Sequence, residues 1–305
     1  MSLQQLFNGL QWGSFYALIA LGYSMVYSIL MLFNFAHGDV FMVGAYIGLF
    51  VATAVLGIAA AGLLPLPAPV VFVIVLVLTM FLTSFVGMAV ERVAYRPLRD
   101  APRASAAITG LMVGIFLETG NLALLGASRR TFPPLLETVT YTIGSVTVTN
   151  VKILTIVLAL LLMLALNLFI QKTRTGMAMR AMSVDYAAVP LMGVPMDRII
   201  VLTFALGSAL AGAAGVLFSM TYPVLEPYMG LLIGWKAFVA AILGGRGSIL
   251  GAVLGGFILG FIEILVAALF VSTLRDLIAY SIVLLILTFR PYGLFGEEYS
   301  ARLRI

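Results

Sequence analysis

The sequence predicts an all-α polytopic membrane protein, with about eight or nine transmembrane or re-entrant helices and a short external β-hairpin. Four observations lead there. Hydrophobic residues make up 63% of the 305 residues and charged residues only 10%, whereas a soluble domain is roughly half apolar and about a quarter charged. Mean hydropathy is +1.16. Apolar runs long enough to cross hydrocarbon, about 20 residues at about 1.5 Å rise each, recur along the whole chain. The few charges collect in three basic segments between those runs.

Taken in order, the apolar runs cover 6–33, 39–57, 68–90, 104–126, 151–171, 199–222, 249–271 and 275–290. A shorter one at 232–243 either spans or re-enters. Met1–Gln5 has no basic character and the first run continues too far for a cleavable signal, so none is expected. Segment 131–150 differs from its neighbours. Val139, Tyr141 and Ile143 alternate before Gly144-Ser145, and Val146 and Val148 follow. This reads as an external hairpin with a two-residue turn, or as a loop rich in β-branched residues.

Loop charge orients the chain. Glu91–Arg103 carries four arginines against two acids, Lys172–Arg198 four basic residues against two, and the tail from Phe289 three against two. All three read as cytoplasmic by the positive-inside rule, and the parity of the spans then puts the amino terminus outside. The net charge of +5 belongs to these loops rather than to nucleic-acid binding. Segment 172–198 is the longest of the three. A short surface helix within Met177–Leu191 is expected there, limited by Pro190 and Pro195.

Small residues spaced by four, at Gly247, Gly251 and Gly255, at Gly256 and Gly260, and at Gly207, Ala211 and Gly215, let helix backbones approach closely. GRGSILG follows no soluble strand and is discounted as a nucleotide motif.

Polar groups inside apolar runs carry the functional candidates. Asn34-Phe35-Ala36-His37-Gly38-Asp39 holds the single histidine at the junction of two spans. It fits a break between helices, where backbone groups line a cavity. Asn34 is expected to cap the following helix and Asp39 to sit favourably at its amino terminus. The same turn reads as capping structure or as the lining or gate of a translocation path. Glu118 and Asn121, three apart, share a helix face. Glu118 pairs with a base, stays protonated or lies at a membrane edge. Glu263, midway along a glycine-rich span, is a path candidate or an interhelical hydrogen-bonding acid. Trp235 and Lys236 read as anchors near an outer boundary, and Arg246 as a contact for headgroups or an ATPase.

Chemistry is constrained by what is missing. There is no phosphate-binding G-x-x-x-x-G-K-[ST] loop, no H-E-x-x-H and no cysteine. With one histidine and no recognisable catalytic pair, the chain is not expected to be an enzyme, and ATP-driven transport requires a nucleotide site on another chain. The pattern Asp185, Ala187, Ala188, Gly193 looks like the EAA…G loop of ABC-importer membrane subunits, which docks on the ATPase. Alternatively, the segment is an interfacial helix held at the headgroups by Arg174 and Arg180.

Longer motifs extend this likeness over nearly the whole chain. GSFYALIALGYSMVYSI and NFAHGDVFMVGAY, then RPLR, GIFLETGNLALL, EPYMGLLIGWKAFVAAILGGRGSILGAVLGG and RPYGLFG resemble, in order and approximate spacing, the LivH-type branched-chain amino-acid ABC permeases (the LivH/LivM family). The resemblance implies that residues 1–305 form a single transmembrane permease domain, with 131–150 an external hairpin and 172–198 a cytoplasmic coupling loop. It implies a second LivM-like permease or a second copy, two ATPase subunits, a soluble substrate-binding protein, and a place in the bacterial cytoplasmic (inner) membrane with a cytoplasmic carboxyl terminus. ATP and Mg would sit on the ATPase subunits, with no cofactor or metal on this chain. Branched-chain amino acids are the implied substrates. Glu118 departs from the amide common at that place in the family. On this reading Asn34, His37, Gly38, Asp39, Glu118, Asn121 and Glu263 belong to the path or gate, and Arg180, Asp185, Ala187, Ala188 and Gly193 to ATPase coupling. The alternative is a stand-alone secondary carrier or channel for small zwitterions or for amides such as urea. It would call for a relay of buried ionisable groups, which these scattered positions do not form.

Overall fold

The computed structural model describes residues 3–62, 66–144, 146–186, 188–270 and 272–296. Ten α-helices dominate them: α1 (Leu3–Leu30), α2 (His37–Ala60), α3 (Ala68–Val90), α4 (Arg103–Leu125), α5 (Asn150–Lys172), α6 (Arg174–Val184), α7 (Met196–Thr221), α8 (Met229–Gly244), α9 (Ile249–Leu269) and α10 (Arg275–Phe289). Seven of them, α1 to α5, α7 and α9, are long and apolar enough to cross a membrane. The expected all-α membrane fold is therefore present.

Several boundaries differ from expectation for identifiable reasons. The third span does not stop at residue 90. A π-helical turn, Glu91–Tyr95, and a 3-10 turn, Arg96–Leu98, continue it, and Arg99 closes back on the buried Glu91 as an ion pair. The surface helix lies at 174–184 rather than within 177–191. The Thr173 hydroxyl accepts from Gly176 N–H at 3.0 Å and starts it early. Beyond Asp185 the chain makes only a 3-10 turn, Val189–Met192, closed by Gly193 at φ 76°. The short apolar run forms α8, of 16 residues, about 24 Å of helix. The last helix, α10, has 15.

The chain divides into two compact units. The first comprises Met1–Phe33, Ile156–Thr203 and Lys236–Ile305, the second Asn34–Thr155 and Phe204–Trp235.

In the first unit α1 lies against α9. Phe15 to Leu21 of α1 are wholly buried, as expected of a helix apolar all round. The approach is through glycine. A Cβ on Gly256 would lie 2.5 Å from the Ala17 backbone, and one on Gly260 would meet Gly13. The expected small-residue spacing thus forms a backbone-to-backbone contact. Ser248 caps α9, its hydroxyl accepting from Gly251 N–H at 3.0 Å. After α10 the chain returns to α8, with Leu294 N–H donating to Leu243 O at 2.8 Å and Phe295 N–H to Gly244 O at 2.9 Å.

In the second unit α2 contacts α3 and α4, and it meets the 204–221 part of α7 through glycine. A Cβ on Gly44 would lie 2.7 Å from the Gly212 Cα, and one on Gly215 2.7 Å from Ala45 N. Strands β2 (Thr140–Ile143) and β3 (Val146–Thr149) pair antiparallel, with Thr140 opposite Thr149. This is the short hairpin that the alternation predicted. Its turn opens on Gly144 at φ 62°; Ser145, the other expected turn residue, lies outside the described residues. Asn150 closes the hairpin, its amide accepting from Val139 N–H at 3.0 Å and donating to Glu137 O at 2.7 Å. A second two-stranded pair joins β1 (Arg130–Thr131) to β4 (Val224–Leu225), flanked by the Arg129–Glu226 ion pair at 2.8 Å.

Candidate functional site

The chain breaks between α1 and α2. Met31 takes a left-handed conformation, φ 55°, which costs a non-glycine residue about 1 kcal/mol and stops α1 within a turn. Asn34 does not cap α2, contrary to expectation. The helix begins at His37 behind Ala36, with no side-chain cap. A turn closed by His37 N–H on Asn34 O, 3.0 Å, sets Asn34 too far back for that role. Its side-chain oxygen instead accepts from Ala36 N–H at 3.2 Å and from the Tyr95 hydroxyl at 3.0 Å. Asn34 is 1% exposed and His37 1%. Asp39 lies in the first turn of α2, where the positive end of the helix dipole favours an acid.

From this turn a polar seam runs between α2 and α4. Asp39, Met42 and Tyr46 follow the helical i, i+3, i+7 spacing on α2. Gly114, Glu118 and Asn121 follow the i, i+4, i+7 spacing on α4. Asp39 and Glu118 are both buried, 6% and 7% exposed, and Asp39 packs on Gly114, one helical turn before Glu118 on α4. One turn on, the Asn121 amide points to Met42 Sδ at 3.7 Å, on the helix face that also carries Tyr46. Glycine makes room for Asp39. Gly114 of α4 faces its Oδ2, and a Cβ on Gly230, at the start of α8, would stand 2.8 Å from its Oδ1. Gly234 lies over Gly38, with only 2.5 Å for a Cβ. So Asn34, His37, Gly38, Asp39, Glu118 and Asn121 all fall in the second unit, around one end of α2.

Glu263 belongs elsewhere, in the first unit. It is 2% exposed, accepts from the Tyr16 hydroxyl at 2.9 Å and pairs with Lys236 Nζ at 3.0 Å. Lys236 also holds Asp276 at 2.8 Å, and Arg275 stands 3.3 Å from Asp276 and 3.8 Å from Glu263. Lys236 is therefore no boundary anchor. It is buried, because a carboxylate inside the helix bundle supplies its counter-charge. Trp235, by contrast, is 42% exposed and lies beside Phe35. Arg246 stacks over the Tyr292 ring, 5.9 Å from its centroid.

The candidate coupling residues are spread over α6 and the turn after it. Asp185 ends α6 and accepts from Ala188 N–H at 3.0 Å. Gly193 supplies the left-handed turn. Val184, Tyr186, Leu191 and Met192 are exposed apolar side chains here. Ala187 lies outside the described residues. Arg180 turns back to donate to the carbonyl of Ile170.

Sequence reasoning missed Tyr95, Tyr46, Tyr16, Arg275 and Asp276. The first three carry no charge, and tyrosine is common in apolar runs. The last two were legible in principle: an acid and a base inside apolar runs, Glu263 and Lys236, call for partners, and Arg275-Asp276 opens the final run.

The protein matches the model of the branched-chain amino acid transport system permease component family over residues 5–287. It is 42% identical over 300 residues to the high-affinity branched-chain amino acid transport system permease protein BraD of Pseudomonas aeruginosa, covering 97% of this chain and 96% of that one. It is 40% identical over 302 residues to LivH of Escherichia coli K12, which bears the same description, with the same coverage. A probable branched-chain amino acid transport permease, LivH of Methanocaldococcus jannaschii, is 27% identical over 306 residues, 94% of this chain and 90% of that one.

Proposed function

The chain belongs to the family of branched-chain amino acid transport system permease components, and we propose that it forms one half of the pore of an ABC importer for leucine, isoleucine and valine. The other half is a second, LivM-like permease or a second copy. Two ATPase subunits carrying ATP and Mg drive it from the cytoplasm, and a soluble binding protein delivers substrate from outside. The chain itself hydrolyses nothing and lies in the bacterial cytoplasmic membrane, with segment 172–198 and the carboxyl terminus inside.

The buried seam between α2 and α4 carries this reading. A zwitterion crossing a membrane needs polar partners, yet a site that binds too tightly would not release. Asn34, His37, Asp39, Glu118 and Asn121 offer hydrogen-bonding groups along it. Gly38, Gly230 and Gly234 leave the backbone close by. Asp185, Ala188 and Gly193, with exposed Tyr186 and Leu191, form the surface on which an ATPase seats.

The deciding experiment purifies the chain with its partner subunits and measures ATP hydrolysis and uptake in proteoliposomes. Hydrolysis stimulated by substrate-loaded binding protein, and uptake only when every subunit is present, is the expected result. Uptake by this chain alone, driven by a proton or sodium gradient, would reject the reading in favour of a secondary carrier. Ala188→Glu is expected to lower ATPase recovery in a pull-down while membrane insertion stays normal. His37→Gln is expected to assemble normally and to lose uptake if the imidazole faces the path.

A further inference from the structure

Residues 171–184, QKTRTGMAMRAMSV, contain three basic side chains and no acid. Among the described residues no carboxylate stands within ion-pair distance of Lys172, Arg174 or Arg180. Arg180 borders a cavity of about 250 Å³ in the first unit, at the ends of α1, α5 and α6 and the start of α9. The buried lining is mostly apolar, from Met25, Ile29, Ile170 and Met179, with the Thr203 hydroxyl turned onto its own helix at the Ile199 carbonyl. Its exposed lining includes Gln171 and Arg180. Arg180 is fixed there by donating one N–H to the Ile170 carbonyl, which leaves four of its five donors. The lining thus grades from a mostly apolar buried wall, through neutral polar side chains, to one exposed cation.

That gradient selects the occupant. An amino acid would present an ammonium group, and no acid lines this cavity. A small soluble anion would gain nothing from the methionines and isoleucines. A phosphate joined to an acyl-bearing glycerol matches both ends. Basic pockets between helix ends at the cytoplasmic membrane surface are suited to anionic lipid headgroups.

We infer that this cavity holds the phosphate of an anionic phospholipid of the cytoplasmic leaflet, with Arg180 on the phosphate and the Met25–Met179 wall against the upper acyl chain. Placing it in the cytoplasmic leaflet rests on the orientation proposed above for segment 172–198.

The test is native mass spectrometry of the whole transporter, purified in detergent with phosphatidylglycerol present. The wild type is expected to retain a phosphatidylglycerol through delipidation. Arg180→Gln should lower its retention about tenfold, the loss of one charge-assisted bond. Arg180→Lys should keep most of it, because a point charge still reaches phosphate. Met179→Trp should displace the lipid by filling the cavity with the cation intact. The subunit masses in the same spectra show whether each variant has assembled. Equal retention in the wild type, Arg180→Gln and Met179→Trp proteins would overturn the inference. So would displacement by inorganic phosphate at the concentration at which short-chain phosphatidylglycerol displaces, since that marks a soluble-anion site. Orientation is read separately, by maleimide labelling of Met177→Cys in this cysteine-free chain. Labelling from outside would refute the orientation, whatever the lipid result.

Discussion

Lys236 shows how one residue inside a membrane protein sets the roles of others. Its ammonium is shared between Glu263 and Asp276, with Arg275 completing two positive and two negative charges. Removing one partner of a buried pair leaves the other uncompensated, at a cost of about 3–5 kcal/mol, whereas replacing both with apolar residues is often nearly neutral. Lys236→Met is therefore expected to lower the thermal unfolding midpoint of the purified protein sharply. Lys236→Met/Glu263→Met should recover most of the loss, because Asp276 still has Arg275. Tyr95→Phe removes the hydroxyl from the Asn34 amide oxygen and is expected to cost about 1 kcal/mol, read in the same melt. At this scale the sequence pointed to which polar residues matter, since Asn34, Asp39, Glu118 and Glu263 stand out against an apolar background. It did not reveal their partners. Asn34 looked like a helix cap because Asn before an apolar run usually is one. The turn that moves it back is closed by backbone hydrogen bonds, which leave no mark in composition. Lys236 looked like an anchor because its counter-charges lie 27 and 40 positions further along the chain.

At the scale of elements, glycine decides which helices meet. The substitution Gly256→Val would drive a side chain into the Ala17 backbone of α1. It is expected to abolish the monodisperse peak in size-exclusion chromatography, as overpacking a backbone contact cannot be relieved by a rotamer change. Gly57→Ala is the contrast. Nothing lies within 4 Å of a Cβ there, and the residue is inside α2, so a gain of up to about 1 kcal/mol is expected from helix propensity. The glycine spacing along 247–260 was legible as a contact stripe. Its partners, α8 for Gly251 and Gly255 and α1 for Gly256 and Gly260, were not, because a spacing records a close approach without naming the neighbour. The hairpin around Gly144 was legible from alternation. The start of α6 was missed because Thr173 as a cap is a weaker signal than the prolines that close the segment.

For the whole molecule, composition alone separated a membrane protein from every soluble class, since hydrocarbon tolerates few charges. The number of spans was less certain than their existence. Seven helices meet the length of a bilayer, while α8 and α10, at 16 and 15 residues, fall short of about 20. Accessibility of single cysteines placed along α8 is the measurement that tells a short span from a re-entrant helix. Labelling of its two ends from opposite sides is expected if it crosses. The partner subunits proposed above carry their own sequences, and the composition of this chain does not identify them.

The contact between α1 and α9 joins residues about 240 positions apart in synthesis. A nascent chain releases α1 from the ribosome long before the glycine face that receives it has been translated. Until then Gly9 and Gly13 have only lipid or the insertion machinery beside them, and the first helix waits as an unfinished groove. Chains cut short before residue 249 are expected to reach the bilayer yet to be cleared by membrane proteases, visible in a pulse-chase as rapid loss beside a stable full-length product.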